Sequence, residues 1–568
     1  MTSSAQLGPE QRQRAWAELG SGEFDVLVIG GGVTGAGVAL DAATRGLRTA
    51  LVEARDYASG TSSRSSKLFH GGLRYLEQLD FGLVREALRE RELMLTRIAP
   101  HLVRPVPFLY PLTRRGWERP YVGAGLMLYD TLGGTSSLPR HRHLTRRAAR
   151  ALCPSLRRDA LVGAVLYYDA QADDARHTLA VVRTAARYGA VVRSSTEVTE
   201  LARSGGRVVG ATVRDVESGL TAHVRAKVVI SCAGVWTDDI QRLTGARGRF
   251  NVRASKGIHL VVPRDRIASE TGLILRTERS VLFVIPWGNR WLIGTTDTDW
   301  DLDKAHPAAT RADIDYLLLR VNKVLSIPLR REDILGVYAG LRPLLSGESE
   351  DTSQLSREHS VSRPVPGLVA VAGGKYTTYR VMARDAVEVA AADIGHPLPP
   401  CVTDHTPLVG SDGYQALANS AEAHAAEHNI PPWRYRRLLD RFGSEAGDVL
   451  AAGADNPALL EPVPGADDYL MAELHRAVTH EGALHLDDLL TRRTRISIET
   501  GHRGAGSAQA VAEVVAGVLG WDQPTISKEV DSYLSRVAAE RASQDAELDA
   551  DAISRRLTAI DIRQPLRM

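Results

Sequence analysis

The stretch from Phe24 to Gly35 reads FDVLVIGGGVTG, and it decides the fold of the first half of this chain. It begins with a short apolar run rich in β-branched residues, which predicts a buried strand. The glycines that follow match the pattern G-x-G-x-x-G, and residues 36–45 have a helical composition. A second predicted strand, Arg48–Val52, ends on Glu53. This order of strand, glycine turn, helix, strand and acid predicts a Rossmann-type dinucleotide-binding unit.

The glycines of this motif have separate roles in such a unit. Gly30 permits the tight turn, Gly32 lets a pyrophosphate approach the backbone, and Gly35 lets helix and strand pack closely. The N–H groups at the start of the helix then face the diphosphate. Glu53 can accept hydrogen bonds from both ribose hydroxyls, which disfavours a 2′-phosphate and hence NADP. The alternative is a glycine-rich turn in an unrelated α/β domain.

The loop after Glu53 bears on the choice between nicotinamide and flavin dinucleotides. Residues 60–67, GTSSRSSK, are dense in hydroxyl groups and backbone donors. They are well placed to reach a diphosphate and a ribityl chain, and of the two cofactors only FAD has a ribityl chain. A second glycine pair, Gly35 and Gly37, is also commoner in flavoproteins. The pattern therefore predicts FAD, with a solvated serine-rich loop as the alternative.

Composition sets the broad class of the protein. A chain of 568 residues needs two or three hydrophobic cores, and 44% hydrophobic with 24% charged residues is typical of a globular protein. The formal charge of +2 gives no support to nucleic acid as a partner. Three widely separated cysteines fit a reducing cytosol and form no metal-ligand pattern, so we expect no metal site.

Membrane contact is expected to be peripheral. Residues 1–23 are polar, lack the apolar core of a signal peptide and are expected to form a tail. No apolar run reaches the ~18 residues needed to cross a bilayer, and the nearest is Tyr121–Leu132. The basic run Arg140–Arg150 could meet anionic lipid headgroups, although a solvated face is the preferred interpretation. We expect a cytoplasmic protein, with peripheral association with the inner membrane as an option.

Several longer motifs resemble those of the FAD-dependent glycerol-3-phosphate dehydrogenases of bacteria and mitochondria, in particular the quinone-linked bacterial type. The most specific is TSSRSSKLFHGGLRYLE at residues 61–77. The others are VIGGGVTGAG at 28–37, KGIHLVVP at 256–263, IGTTD at 293–297, AGLRPL at 339–344 and GGKYTTYR at 373–380. The resemblance extends from about residue 24 to about residue 392 with the spacing intact, and more weakly beyond.

The resemblance implies an α/β plus α fold, in which a Rossmann-like FAD-binding domain is interleaved with a mixed-sheet substrate domain. We expect the FAD-binding domain at about 24–80, 150–245 and 340–395, and the substrate domain at about 81–149 and 246–339. Strand–glycine units ending at Gly234 and Gly374 independently predict two more strands of the cofactor sheet. A mostly α-helical cap is expected over 401–568, after the proline cluster at 396–400.

The resemblance also nominates site residues. For catalysis it implies Arg342 together with His70 and His259, whose imidazoles titrate in the range useful to a proton acceptor; each histidine could instead merely shape the site. For a phosphorylated substrate it implies Arg74, Tyr75, Arg342 and Lys375. For the cofactor it implies Gly30, Gly32, Thr34, Gly35, Glu53, Thr61, Ser62, Ser66, Lys67, Leu68, Val198, Ala233, Gly234, Asp297, Gly374, Lys375, Thr377 and Thr378.

The activity implied by the resemblance is oxidation of sn-glycerol 3-phosphate to dihydroxyacetone phosphate. FAD would accept the hydride at N5, and a membrane quinone, menaquinone or ubiquinone, would accept the electrons. Three alternatives stay open: an oxidase of the same substrate that uses oxygen, an amine or amino-acid oxidase of the same fold, and a non-catalytic FAD scaffold. The oligomeric state, for which a homodimer is one option, does not follow from the sequence.

Overall fold

The computed structural model of the chain describes residues 5–72, 80–133, 137–245, 251–277, 281–345 and 358–563. Two large sheets and a helical C-terminal region make up most of these residues. The predicted fold class, two interleaved α/β domains followed by a helical domain, is confirmed. Strands and helices are numbered below in chain order.

The first sheet is the predicted cofactor sheet. Its strands are β1 (Glu23–Ile29), β2 (Thr49–Val52), β7 (Val191–Arg193), β8 (Thr196–Ser204), β9 (Arg207–Asp215), β10 (Thr221–Ser231), β17 (His359–Val365) and β18 (Leu368–Gly373). They follow the order β17–β18–β10–β1–β2–β7, with β9 paired to β10 and β8 to β9. The strands from β18 to β7 are parallel neighbours. The side chains of Val26–Ile29 on the central strand are buried, as a sheet covered on both faces requires.

Helices cover both faces of this sheet. On one face lie α2 (Val33–Thr44), α6 (Asp174–Arg187) and α9 (Tyr379–Ile394), which share one hydrophobic core with it. On the other face α1 (Pro9–Ser21) packs through Leu19 against Phe24 and Leu27. The expectation of an N-terminal tail is therefore wrong over α1, because its apolar residues, although sparse, share one face of a helix. The backbone of Leu7 also pairs with that of Glu481.

The second sheet is the predicted mixed sheet of the substrate domain. Its strands are β3 (Leu68–Phe69), β4 (Arg104–Leu112), β5 (Arg142–Thr145), β6 (Gly163–Gln171), β11 (Val252–Pro263), β12 (Gly272–Arg276), β13 (Val281–Trp287), β14 (Arg290–Gly294), β15 (Thr298–Trp300) and β16 (Gly336–Leu345). The order is β15–β11–β14–β13–β12–β4–β6–β3, with β16 paired to β11 and β5 to β6. Among the strand pairs of this second sheet that the structure describes, only β12 with β4 is parallel. The helices of this domain are α3 (Phe81–Leu93), α4 (Glu118–Leu132), α5 (Arg146–Leu152) and α8 (Arg311–Asn322). The short α7 (Thr237–Arg242) follows β10 and packs through Ile240 against the cofactor sheet.

Sheet membership shifts three of the expected domain bounds. β3 and β6 lie within segments expected in the FAD-binding domain, but they pair with each other in the second sheet. Most of β16 likewise lies beyond the expected bound at 340, yet it pairs with β11 along its length. By sheet membership the domain bounds at 80, 150 and 340 are wrong. Strand partners that are far away in the chain leave no local mark in the sequence.

The C-terminal region is helical apart from the hairpin of β19 (Pro462–Val463) and β20 (Ala466–Leu470). Its helices are α10 (Tyr414–Asn419), α11 (Ala421–Glu427), α12 (Pro432–Phe442), α13 (Ala446–Ala451), α14 (Met471–Thr479), α15 (Leu486–Asp488), α16 (Ile496–Glu499), α17 (Ala508–Leu519), α18 (Gln523–Ser543) and α19 (Asp549–Arg556). Buried ion pairs join it to the flavin half, for example Asp56 with Arg493. In the part of the chain that the structure describes, no helix is long and apolar enough to cross a membrane.

Candidate active site

The predicted nucleotide site is a cleft of about 590 Å³ at the carboxyl ends of β1, β2, β10 and β18. Parallel α/β sheets bind their ligands at this edge. Most of the predicted cofactor residues line the cleft: Gly30, Gly32, Thr34, Glu53, Thr61, Ser62, Val198, Ala233, Gly234, Gly374 and Lys375. The folded chain thus brings together motifs that are hundreds of residues apart in the sequence.

The glycine turn leaves room for a diphosphate. Gly30 has a φ of 106°, and a Cβ on it would lie 2.7 Å from the carbonyl oxygen of Cys232. A Cβ on Gly35 would lie 1.9 Å from the carbonyl oxygen of Gly30, so Gly35 serves helix packing and does not line the cleft. No side chain caps α2 at Gly32. Of the donors at the N-terminus of α2, the Val33 N–H is donated to the Ser62 hydroxyl at 2.9 Å. The other N–H groups of the first turn can bind an anion, as FAD requires.

Glu53 is held in place for ribose recognition. One carboxylate oxygen accepts a hydrogen bond from the Gly31 N–H at 2.6 Å, and the other accepts one from the Arg55 N–H at 2.8 Å. Burial raises the pKa of Glu53, and these two hydrogen bonds oppose that shift. The side chain lines the cleft, where an acid fits the 2′-hydroxyl of FAD and opposes a 2′-phosphate.

The buried carboxylate of Asp174 holds the serine-rich loop in place. This carboxylate accepts hydrogen bonds from the backbone and side chain of Ser65, and from the Lys67 ammonium at 2.6 Å. Lys67 is 1% exposed, and its ammonium also lies 5.1 Å from the centre of the Tyr338 ring. Lys67 therefore forms a buried ion pair with Asp174, whereas a contact with the cofactor was predicted. Leu68 likewise lies outside the cleft, in β3.

The predicted substrate residue Arg342 lies where β16 meets β11, opposite Ser255. Its guanidinium donates hydrogen bonds to the Thr295 hydroxyl at 2.8 Å and to the Thr296 carbonyl at 3.1 Å. The Asp297 carboxylate is 3.5 Å from the same guanidinium, and it accepts a hydrogen bond from Ser255. The IGTTD and AGLRPL motifs thus meet in space, and their joint effect is to orient Arg342.

His259 is the more enclosed of the two predicted bases. Its ring stacks on Tyr338, and its Nε2 lies 2.9 Å from the Ser66 hydroxyl. Among the described residues its Nδ1 has no hydrogen-bond partner. Burial, followed by the charges of Arg342 and Lys67, lowers the pKa of His259 well below its ordinary value. The imidazole is therefore neutral at pH 7, as a general base must be.

The other predicted residues have different surroundings. The His70 N–H donates to the Thr377 hydroxyl at 3.2 Å, and the His70 ring meets that of Phe283 edge-on. The Thr378 hydroxyl donates to the Lys375 carbonyl at 3.4 Å. The predicted substrate residues Arg74 and Tyr75 lie outside the described residues.

Sequence reasoning missed several residues of the site. Tyr338, which stacks on His259, stands four positions before Arg342 in β16. No signal in the sequence indicates it, because the pairing of β11 with β16 brings the two rings together. Arg55 and Arg563 both line the nucleotide cleft. Arg55 stands two positions after Glu53, the acid that follows β2, but nothing in the sequence indicates that Arg563, near the C-terminus, reaches this cleft.

Comparison with known proteins is in line with this geometry. Residues 25–387 match the family model described as FAD dependent oxidoreductase, and residues 401–526 match the C-terminal domain of alpha-glycerophosphate oxidase. The chain is 61% identical over 560 residues to glycerol-3-phosphate dehydrogenase 2 of Mycobacterium tuberculosis, covering 99% of this chain and 96% of that protein. It is 37% identical over 530 residues to human mitochondrial glycerol-3-phosphate dehydrogenase, covering 88% and 71%.

Solved structures agree with these matches. The glycerol-3-phosphate dehydrogenase of Bacillus halodurans, complexed with FAD, superposes with a TM-score of 0.78 at 28% identity, covering 94% of this chain and 98% of that one. The L-alpha-glycerophosphate oxidase of Mycoplasma pneumoniae shares the fold, with a TM-score of 0.54 at 18% identity, over 68% of this chain and 98% of that one.

Cleft, sheet order and family match together define an FAD-dependent oxidoreductase. The prediction of FAD as the cofactor is confirmed. Within that class, the sequence identity to the mycobacterial proteins extends over nearly the whole chain. The chain therefore belongs to the FAD-dependent glycerol-3-phosphate dehydrogenase family. The resemblance drawn from the sequence motifs is confirmed at this level.

Proposed function

We propose that the chain oxidises sn-glycerol 3-phosphate to dihydroxyacetone phosphate and passes the electrons to a membrane quinone. When bound, FAD supplies the acceptor for the hydride that leaves the carbinol carbon. The observation that carries the proposal is the pairing of an oriented cation, Arg342, with a neutral imidazole, His259, in a member of this family. A secondary alcohol that carries a phosphate needs both groups.

Arg342 and Lys375 are the proposed contacts of the substrate phosphate. The planar fork of arginine suits phosphate oxygens, and Thr295 and Asp297 keep the Arg342 fork in one orientation. Lys375 directly follows the glycines that end β18, and it lines the cleft. Arg74 and Tyr75 stay in the proposal on the strength of their motif alone.

His259 is the proposed acceptor of the hydroxyl proton. Ser66 and Tyr338 hold its ring, and the buried Nδ1, which has no partner among the described residues, is the nitrogen we propose to accept the proton. A neutral imidazole can accept the proton while the hydride leaves, and Arg342 beside it then stabilises the negative charge of the phosphate. His70 is kept as the second candidate base.

The test is an anaerobic titration of the purified yellow protein with glycerol 3-phosphate, followed in the visible spectrum. We expect the flavin band to bleach with glycerol 3-phosphate and not with glycerol or with amino acids. Glycerol is the matched control, because it has the alcohol without the phosphate. Bound flavin that none of these compounds bleaches would favour the scaffold, and bleaching by an amino acid would favour the amine-oxidase alternative.

Oxygen is the second candidate acceptor, because the C-terminal region matches a domain described from alpha-glycerophosphate oxidase. The two acceptors differ in their products. After reduction by substrate, we expect menadione, or a short-chain ubiquinone analogue, to reoxidise the flavin many times faster than air-saturated buffer. Stoichiometric hydrogen peroxide at a comparable rate would assign the protein to the oxidases.

A quinone acceptor needs access to a membrane, and α4 offers a surface for it. Trp117 and Tyr121 are about half exposed, and Met127 is 64% exposed. Exposed arginines precede and follow α4 in the chain, namely Arg114, Arg115, Arg140, Arg142, Arg146 and Arg147. Aromatic side chains beside arginines suit the interface of an anionic bilayer.

We propose that this face binds the cytoplasmic side of the inner membrane peripherally. Vesicles containing phosphatidylglycerol should therefore sediment the FAD-loaded protein, and vesicles of phosphatidylcholine should do so weakly. The double variant Trp117→Ser with Met127→Ser should lose most of this binding while it keeps flavin reduction. An exposed control, Leu319→Ser on α8, should bind as the parent does. Equal binding to both vesicle types would rule out the arginine contribution.

A further inference from the structure

A second cavity, of about 110 Å³, lies between the flavin half and the C-terminal helices. It adjoins the nucleotide cleft, because Arg55 and Arg563 line both. A cavity of this size holds several water molecules or one small polyatomic ion. Its wall carries more guanidinium groups than carboxylates, and the proposed substrate residues are not among those that line it.

The carboxylates of this cavity already have cationic partners. Asp487 pairs with Arg492 and Arg536, each at 2.8 Å. Glu540 lies 2.9 Å from Arg536. Asp561 pairs with Arg55 and with His306. These acids therefore have little charge left to offset the remaining guanidinium groups.

Arg64 is the arginine of this cavity whose positive charge no carboxylate of the described residues offsets. Its one hydrogen bond in the described residues goes to the Ala305 carbonyl at 3.2 Å, and no carboxylate there lies within 4.0 Å of it. An arginine has about five N–H donors, so most of those of Arg64 are available to a ligand. Burial, followed by the charges of Arg492 and Arg55, lowers the pKa of Arg64 to about 10. An unpaired cation that is only partly exposed to solvent, as Arg64 is, is costly unless an anion joins it.

Arg556 also lines this cavity. Its guanidinium is 3.3 Å from Nδ1 of His306, the residue after the partner of Arg64. Its nearest carboxylate, Glu540, is 3.6 Å away and is shared with Arg536. Two guanidinium groups, one from the serine-rich loop at residues 60–67 and one from α19, therefore line the same small cavity.

We propose that this cavity binds a small tetrahedral oxyanion of the phosphate type between Arg64 and Arg556. Guanidinium groups bind such oxyanions through paired, charge-assisted hydrogen bonds. The bound anion would join α19 to the serine-rich loop that lines the nucleotide cleft, near Arg563, which lines both cavities. The site is separate from Arg342 and Lys375, and it does not depend on the proposed activity.

The test uses the full chain loaded with FAD, in an Arg342→Gln background that weakens the proposed substrate site. Melting temperature is measured by calorimetry while inorganic phosphate replaces chloride at constant ionic strength. We expect phosphate to raise the melting temperature by roughly a few degrees, as a ligand of the native state does. Adding Arg64→Gln or Arg556→Gln should abolish this rise, whereas adding Arg89→Gln, on the exposed face of α3, should leave it unchanged.

Glycerol 2-phosphate forms the second arm. A rise with inorganic phosphate alone identifies the free ion as the ligand, and an equal rise with both identifies the phosphoryl group of a metabolite; either supports the site. If Arg64→Gln does not fold, Arg64→Lys and Arg556→Gln replace it, with a weakened and an absent rise expected. A rise that survives these substitutions, or no rise in the Arg342→Gln background, would overturn the proposal.

Discussion

The imidazole of His259 lies parallel to the phenol ring of Tyr338, with the ring centres 4.7 Å apart and 8° between the planes. Gly294 covers part of the imidazole, since a Cβ there would lie 2.2 Å from its Cδ2. Ser66 engages Nε2 from a third direction. His259 is therefore held by three separate segments of the chain, so that its replacement changes chemistry at a position the fold already defines.

Replacing His259 should impair chemistry more than binding. We expect His259→Asn to slow flavin reduction by about 10²–10⁴-fold, the usual effect of removing a general base. Substrate affinity should change little, because Arg342 and its partners remain. Stopped-flow measurement of flavin reduction at several substrate concentrations separates the limiting rate from the affinity.

The matched variant is His70→Asn. A fall of the same size in His70→Asn, together with a change under about threefold in His259→Asn, would transfer the role of base to His70. A large loss of affinity in His259→Asn, with the limiting rate intact, would make His259 a binding residue.

The pH dependence of flavin reduction should report the lowered pKa of His259. An imidazole acts as a base in its neutral form. The rate therefore falls when the pH drops below the pKa that His259 has in the folded protein. Because burial, Arg342 and Lys67 lower that pKa, the rate should stay level from pH 8 down past 6.5. Limiting rates of flavin reduction between pH 5 and 8 test this. An acid limb centred at or above 6.5 would contradict it.

The nucleotide cleft could be predicted from the sequence because its recognition elements are local. Gly30, Gly32 and Glu53 belong to one strand–helix–strand unit, in which spacing alone sets their relative positions. Residues that meet across neighbouring strands from distant parts of the chain, such as Tyr338 and His259, leave no such mark. The pairing of β11 with β16 decides their contact, and strand pairing between distant segments is a property of the whole core.

Lys67 shows a second limit of motif reading. It lies within the most specific motif of the chain, among residues that do line the cleft, and nothing local distinguishes it from them. Its ammonium does not line the cleft, because it pairs with the buried carboxylate of Asp174, more than a hundred positions later in the chain. A motif thus indicates which backbone segment approaches a cofactor, while burial and charge pairing decide where each side chain points.

Gly35 should prove essential for cofactor binding even though it does not line the cleft. In Gly35→Ala the new Cβ would lie 1.9 Å from the carbonyl oxygen of Gly30, so that α2 must move away from β1. We expect purified Gly35→Ala to hold less than about a tenth of the FAD of the parent, in line with the usual cost of overpacking of about 1–3 kcal/mol. The ratio of flavin to protein absorbance measures this.

The control for this substitution is Gly447→Ala in α13. Nothing lies within 4 Å of a Cβ there, and alanine is preferred in helices by roughly 0.5–1 kcal/mol. Gly447→Ala should keep its FAD and be as stable as the parent or more so. Normal FAD content in Gly35→Ala would show that the turn relaxes without cost.

Lys67 should contribute to stability more than to flavin chemistry. In Lys67→Met the carboxylate of Asp174 loses one of its two cationic partners while it stays buried, and Arg495 retains the other. Breaking a buried ion pair costs about 3–5 kcal/mol, and we expect roughly the lower end because Arg495 remains. Urea unfolding of the FAD-loaded protein measures the loss.

The flavin spectrum and the rate of flavin reduction by substrate distinguish this role from the cofactor contact that the motif implied. Both should stay within about threefold of the parent in Lys67→Met at a temperature where it is folded. Unchanged stability together with a shifted flavin band would instead place the ammonium of Lys67 against the cofactor.

His485 should make the stability of the protein fall at alkaline pH. Its ring lies between Glu529, at 2.8 Å, and Glu217 of the flavin half, at 3.2 Å. Burial and Arg563 oppose its protonation, but the hydrogen bonds to Glu217 and Glu529 outweigh them and raise the pKa of His485 to about 9. The folded protein thus binds this proton more tightly than the unfolded chain does, whose histidines titrate near about 6.5.

The resulting stabilisation is fully present below pH 6.5 and is lost as pH rises from there through 9. At about 1.4 kcal/mol per pKa unit, the loss amounts to roughly 3 kcal/mol. Urea unfolding of the FAD-loaded protein at pH values from 6 to 9.5 should show this decline, and His485→Gln should be weaker at pH 6.5 and flatter above it. The exposed His405→Gln should follow the parent, since His405 is 68% exposed. A parent protein equally stable at pH 6.5 and 9.5 would mean that His485 is neutral, and that Glu217 and Glu529 do not join the two halves of the chain by charge.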